Sequence, residues 1–226
     1  MPSRRKSLMF ASASLTSICS FVIVCCVLAT KNWVSSKINY KEGNSTVVIT
    51  VTYGLFEGLC SRNVLQGIGK PDSIFQVTDL LENTTMKTFN IIIILLLVLH
   101  LFSTFLSFVF TSYNAISNPY QTFLGPIGVY TWNCISGVCC LLILILFPVN
   151  VEVNELSAEL ATKHCTSPRG PKTSNNYGYS YWIMLLMALF NAATVIIIVF
   201  YQRARYSKRK EQERPMECAP KDGILF

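Results

Sequence analysis

Few residues of this chain are of types that perform chemistry, and their spacing narrows what they can do. The soft ligands are two histidines, His100 and His164, and nine cysteines. No Cys-x-x-Cys pair occurs and the histidines lie far apart, so neither a metal site nor a cofactor is expected. There is no nucleophile elbow, no phosphate-binding glycine loop and no carboxylate pair within an apolar segment. The expectation is that the chain is not an enzyme. His100, Asn133 and Asn191 fall inside long apolar segments. Polar groups so placed mark either a transport pathway or an interhelical hydrogen bond. With no Asp, Glu, Lys or Arg beside them, one histidine cannot build a proton relay, and helix packing is the preferred reading. Asn44-Ser45-Thr46 and Asn83-Thr84-Thr85 fit the N-glycosylation pattern. Asn83 sits close to an apolar segment, where access is poor, so Asn44 is the better acceptor. Cys60 and Cys165 stand alone in two polar segments. In an oxidising compartment they would pair and staple those segments together; otherwise they are free thiols or link copies of the chain. The sequence does not supply the Cα separation that a bridge requires.

The elements that must hold these groups are set by the charge distribution. Only 14% of the 226 residues are charged and 51% are hydrophobic, against about 25% charged in a soluble domain. Residues 7–30, 88–151 and 173–202 hold no Asp, Glu, Lys or Arg. This excludes a soluble enzyme, a nucleic-acid-binding domain and a disordered chain. A membrane helix needs about 20 apolar residues to cross roughly 30 Å of hydrocarbon. Four segments meet this length: 8–29, 89–110, 123–147 and 179–201. The middle window is divided at 111–122 by Ser112, Asn114, Ser117, Asn118 and Pro119. The first run exceeds the roughly 7–15 residues of a signal-peptide core, so it reads as a span. Cys19, Cys25, Cys26, Cys134, Cys139 and Cys140 lie in these runs and read as small buried hydrophobes. Cys218, in the tail, is a candidate for acylation.

Orientation follows from the flanks. Arg4, Arg5 and Lys6 precede the first span, and Arg203, Arg205, Lys208, Arg209 and Lys210 follow the last. Short basic flanks stay cytoplasmic, and four spans return both ends to one side. Both termini, 1–7 and 202–226, are therefore expected in the cytoplasm, and the expected location is the plasma membrane. The net charge of +7 then reflects topology and attraction to anionic inner-leaflet lipid, not nucleic acid. The outside loops are 30–88 and 148–178. Residues 33–53 read as a β-hairpin about Gly43, with Val47, Ile49 and Val51 on one face. Asp72 is placed to cap a short helix over 73–82. Asn154 is placed to cap a helix over 155–163, which alternatively prolongs the third span past Pro148. Residues 166–178 read as flexible loop. Gly125, Pro126 and Gly128, at the mouth of the third span, suit a helix start that packs closely on a neighbour. The chain ends Ile224-Leu225-Phe226, in which Ile224 and Phe226 alternate as a PDZ ligand would.

Trp33 follows the first span and Tyr53-Gly54-Leu55-Phe56 follows the hairpin. In type and order these residues resemble the claudin-like tetraspan superfamily. The run YNAISNPYQTFLGPIGVY at 113–130 is similar to the clarins. The opening Met1-Pro2-Ser3, Asn191 and the end from Pro215 to Phe226 extend the resemblance to the whole chain. It implies an all-α membrane fold: a four-transmembrane-helix bundle with a small extracellular sheet from the first loop. It also implies a non-enzymatic membrane organiser or adaptor, acting through lateral, loop and tail contacts with other membrane proteins. The claudin pattern has a second cysteine in the first loop; here Cys60 has no such neighbour, so an intraloop bridge does not carry over. The rival function is a channel or transporter subunit, including an auxiliary one, which a charge-lined pathway would favour.

Overall fold

A computed structural model describes residues 4–43, 45–64, 70–82, 84–117, 125–168 and 173–213. Helix α1 (Arg4–Ala29) leads into four strands, β1 (Val34–Glu42), β2 (Ser45–Tyr53), β3 (Glu57–Val64) and β4 (Lys70–Gln76). A short helix α2 (Val77–Leu80) precedes α3 (Thr84–Ile116). Then come α4 (Pro126–Pro148), a wider π-helical turn (Val149–Val153), α5 (Leu156–His164), β5 (Thr173–Tyr177) and α6 (Tyr179–Glu213). Four of these helices are long and apolar enough to cross a membrane. The molecule is a multi-pass membrane protein of claudin-like tetraspan design, a four-helix bundle carrying one antiparallel sheet at one end.

Each long helix turns a seam of residues inward at alternating steps of three and four. On α1 the buried seam is Phe10, Ala13, Ser17, Ser20, Val24 and Val27; on α3 it is Ile93, Leu97, His100, Thr104, Ser107, Thr111 and Asn114. That 3.5-residue period is the one with which helices wind about each other in left-handed bundles. The helices form a ring in which α1 touches α3 and α6, and α4 touches the same two. Outward positions such as Leu15, Leu95, Phe102, Leu141 and Leu189 are apolar and exposed. In water this would be an aggregation surface; in a bilayer it is the lipid face.

The apolar runs are the middles of longer helices. The polar stretch at 111–122 does not end α3 at residue 110, because its side chains find partners: Asn114 Nδ2 donates to the Phe110 carbonyl at 2.8 Å and Ser112 pairs with Ser14 at 2.8 Å. At the other end of α4 the helix passes through Pro148. Proline has no N–H for the carbonyl four residues earlier, and the Tyr181 hydroxyl donates to that Leu144 carbonyl instead, at 3.1 Å.

The sheet order is β4-β3-β2-β1-β5. The hairpin stands as β1 and β2, with Glu42 opposite Ser45 and Gly43 at φ 61°. Val47, Ile49, Val51 and Tyr53 are buried on one face. The expected helix over 73–82 is corrected: Ser73–Gln76 belong to β4, and only Val77–Leu80 are helical. The open edge of β3 decides this, since Leu59 faces Ile74 and Gly58 faces Phe75; tertiary pairing overrides a local helix preference. The loop expected at 166–178 is corrected likewise. Thr173–Tyr177 form β5, which supplies hydrogen bonds to the free edge of β1 from Val34 to Ile38. Cys25, Cys26 and Cys134 are exposed on the lipid face, leaving only Cys139 and Cys140 of the span cysteines buried.

Candidate functional site

Two assemblies of polar residues hold this fold together. The first lies where the sheet meets the bundle. Trp33, fully buried, donates its indole N–H to the Val27 carbonyl at 3.0 Å, capping the last turn of α1, and its ring lies 4.8 Å from that of Phe147. Tyr53 reaches Ser157 of α5 at 2.7 Å, and Ser36 donates to that same hydroxyl at 2.8 Å. Burial raises the pKa of the Tyr53 phenol, so it stays a neutral hydrogen-bonding group. Cys60 on β3 and Cys165 after α5 form a disulfide, with Cα atoms 6.1 Å apart, that joins the two loops. Lys163 pairs with Glu82 beside it.

The second assembly runs through the bundle. His100 on α3 holds its Nδ1 2.9 Å from the Ser136 carbonyl and 3.0 Å from the Ser136 hydroxyl on α4. A carbonyl only accepts, so Nδ1 carries the proton and Nε2 is a bare acceptor. That Nε2 is buried and has no hydrogen-bond partner among the described residues. Asn191 on α6 donates to the Ser136 hydroxyl at 2.7 Å and accepts from Ser20 on α1 at 3.3 Å. One layer of four side chains therefore ties all four helices. The next layer toward the chain termini repeats the device: Asn133 donates to Ser107 at 2.7 Å, and Ser107 pairs with Ser17 at 3.1 Å. Thr16 and Thr194 close a third contact at 2.7 Å.

This lattice contains hydroxyls, amides and one imidazole. Ser136 and His100 do not make a nucleophile–base pair, because the facing nitrogen already donates its proton to a carbonyl and both residues are sealed from solvent. Among the described residues no cluster of three His, Cys, Asp or Glu comes together to hold a metal. What the lattice does is fix helix register, since a buried polar group pays a heavy penalty without its partner.

His100 and Asn191 are thus brought into one layer and Asn133 into the next. Gly125 caps α4, Pro126 is its first residue, and the Gly128 N–H reaches the Gly125 carbonyl at 3.1 Å. Gly128 is buried. Asn44, Asn83, Ile224 and Phe226 lie outside the described residues. Sequence reasoning did not single out Ser17, Ser20, Ser107 or Ser136 as hydrogen-bonding partners. The usable signal was the 3.5-residue spacing of polar residues along α3, from His100 through Thr104, Ser107 and Thr111 to Asn114.

A family model described as Clarin-2-like matches residues 5–198. Clarin-3 of Homo sapiens is 46% identical over 226 residues, covering 100% of both chains, and Clarin-3 of Mus musculus matches to the same extent. Clarin-1 of Mus musculus is 29% identical over 196 residues, 82% of this chain and 84% of the relative.

Proposed function

The chain belongs to the clarin family, and on that premise we propose that it is a non-enzymatic membrane organiser or adaptor. Both termini lie in the cytoplasm and the sheet faces outside, at the plasma membrane. The observation that carries this reading is the inward lattice: the polar side chains of the spans bond one another across helices, which supports a rigid platform. Partners are engaged laterally on the apolar outer face, through the sheet, and through the tail. Ile224 and Phe226 suit a PDZ scaffold, which a binding assay with the native tail peptide and its Phe226→Asp variant tests. The wider test is crosslinking in native membranes with identification of neighbours. Neighbours enriched over an unrelated four-span protein support the reading; their absence defeats it. A second reading, an auxiliary channel subunit, is favoured by one observation, the unpartnered Nε2 of His100. A channel among the crosslinked neighbours, with a current altered by His100→Leu, would select it.

A further inference from the structure

Helices α1 and α6 run antiparallel in a constant register. Ser20 meets Asn191, Thr16 meets Thr194, and Phe10 meets Tyr201 with ring centroids 5.0 Å apart. Each step along one helix is matched to within one residue by a step back along the other. One turn further, the register sets Lys6 opposite Arg205, and the two cations interact electrostatically. Lys6 is nearly buried, its Nζ 5.8 Å from the Phe10 ring and donating to the Ser117 carbonyl at 2.9 Å. At the same ends of the two helices, Arg4 and Arg5 on α1 and Arg203 and Arg205 on α6 are all exposed. Two chain segments about 200 residues apart thus end in cations on adjoining helices, where like charges repel.

Arg4, Arg5, Arg203 and Arg205 take part in no ion pair among the described residues. The ion pairs among the described residues are Lys31–Glu57, Arg62–Glu42 and the Lys163 pairs, all in the sheet and its loops. The described carboxylate that follows along α6, Glu211, is six residues past Arg205, about 9 Å along the axis. Topology needs only cations in a flank; it does not need them gathered from two helices. Toward the membrane the same two helices expose Leu8 (64%) and Phe200 (59%). A basic rim directly above an apolar wall matches a lipid with a polyanionic headgroup. Guanidiniums grip phosphates in a two-pronged fashion that a single carboxylate-bearing headgroup does not satisfy.

We propose that the α1–α6 end, through Arg4, Arg5, Arg203 and Arg205, is a binding site for a phosphoinositide bisphosphate of the inner leaflet. The assignment of leaflet rests on the orientation proposed above; the chemistry of the site does not. The test uses the full-length protein in detergent micelles, where both ends are accessible, with native mass spectrometry as the readout. The probes are short-chain phosphatidylinositol 4,5-bisphosphate, short-chain phosphatidylserine and free inositol trisphosphate. The bisphosphate lipid should bind at least about tenfold more tightly than phosphatidylserine, and Arg5→Gln with Arg205→Gln should weaken it about 30-fold, each cation contributing about fivefold. Lys37→Gln with Lys41→Gln, an equal charge loss on the sheet, should leave it unchanged. Should the arginine pair fail to fold, the exposed Arg4→Gln with Arg203→Gln replaces it. Equal binding of both lipids, or an unchanged affinity in the arginine variant, overturns the site. Equal binding of inositol trisphosphate assigns it to a soluble polyphosphate instead of a lipid. An epitope at the C-terminus, stained on intact cells, checks orientation separately: surface staining would remove the inner-leaflet assignment while leaving the micelle result standing.

Discussion

Asn191 touches two other helices at once, giving a hydrogen bond to Ser136 and taking one from Ser20. Interhelical hydrogen bonds in membranes average about 0.6 kcal/mol and reach about 1.7 kcal/mol. Asn191→Ala should therefore lower stability by about 1–2 kcal/mol, a small cavity included, measured by unfolding in mixed micelles of rising dodecyl sulfate fraction. Combined with Ser136→Ala it should cost less than the sum of the two, because both remove the same bond. Strict additivity would show that the lattice is not coupled. Glycines give a sharper contrast. A Cβ at Gly178 would collide with the Asn32 carbonyl, a backbone group that cannot turn aside, whereas a Cβ at Gly137 meets nothing within 4 Å. Gly178→Ala should be retained in the endoplasmic reticulum. Gly137→Ala should reach the surface normally and gain up to about 1 kcal/mol from helix propensity. Surface staining of cells separates the two.

At the scale of elements, the two loops form one unit. The Cys60–Cys165 bridge closes a separation of 105 residues, and β5 completes the β1 edge. Cys60→Ser and Cys165→Ser should each destabilise the sheet by about 2–5 kcal/mol, and the double variant should cost no more than either. Non-reducing gels with thermal unfolding check this; a doubled loss would mean each cysteine acts separately. The Glu82–Lys163 pair beside the bridge adds a pH dependence. The hydrogen bond from Lys163, and then its charge, hold the Glu82 carboxyl below its ordinary 4.5. A depressed carboxylate stabilises the fold above its unfolded value and loses that contribution as pH falls through the folded one. Because Glu82 is exposed, the effect is small. Between about pH 6 and about pH 3 the melting temperature should fall more in the wild type than in Lys163→Gln, and parallel curves would show that the pair does not contribute.

For the molecule as a whole, the sheet lies at one end of the bundle and the basic helix ends at the other. In the proposed orientation the sheet is outside and Asn44 is the expected glycan acceptor. Glycosidase should shift the wild type on a gel and leave Asn44→Gln with Asn83→Gln unmoved. Protease applied to intact cells should spare the C-terminal tail; its loss would reverse the proposed orientation.

Four spans, the hairpin and its buried face were legible in the sequence because each is written locally. An apolar run has a length and a strand has a period of two, and both survive without knowledge of neighbours. The family resemblance was legible too, in Trp33, Tyr53–Phe56 and the run at 113–130. Partners were not. Ser73–Gln76 carry apolar residues that a helix would accept, and only the free edge of β3 makes them a strand. Thr173–Tyr177 are polar and short, and only β1 gives them a ladder to join. Cys60 and Cys165 sit 105 residues apart, and only the folded loops bring their Cα atoms to 6.1 Å. His100 and Asn191 were marked as polar groups in hydrocarbon, but Ser136, the hydroxyl between them, was invisible until α3, α4 and α6 stood side by side. The physical reason is common to all four: a hydrogen bond or a bridge between distant segments depends on a distance, and the chain acquires distances only when it packs.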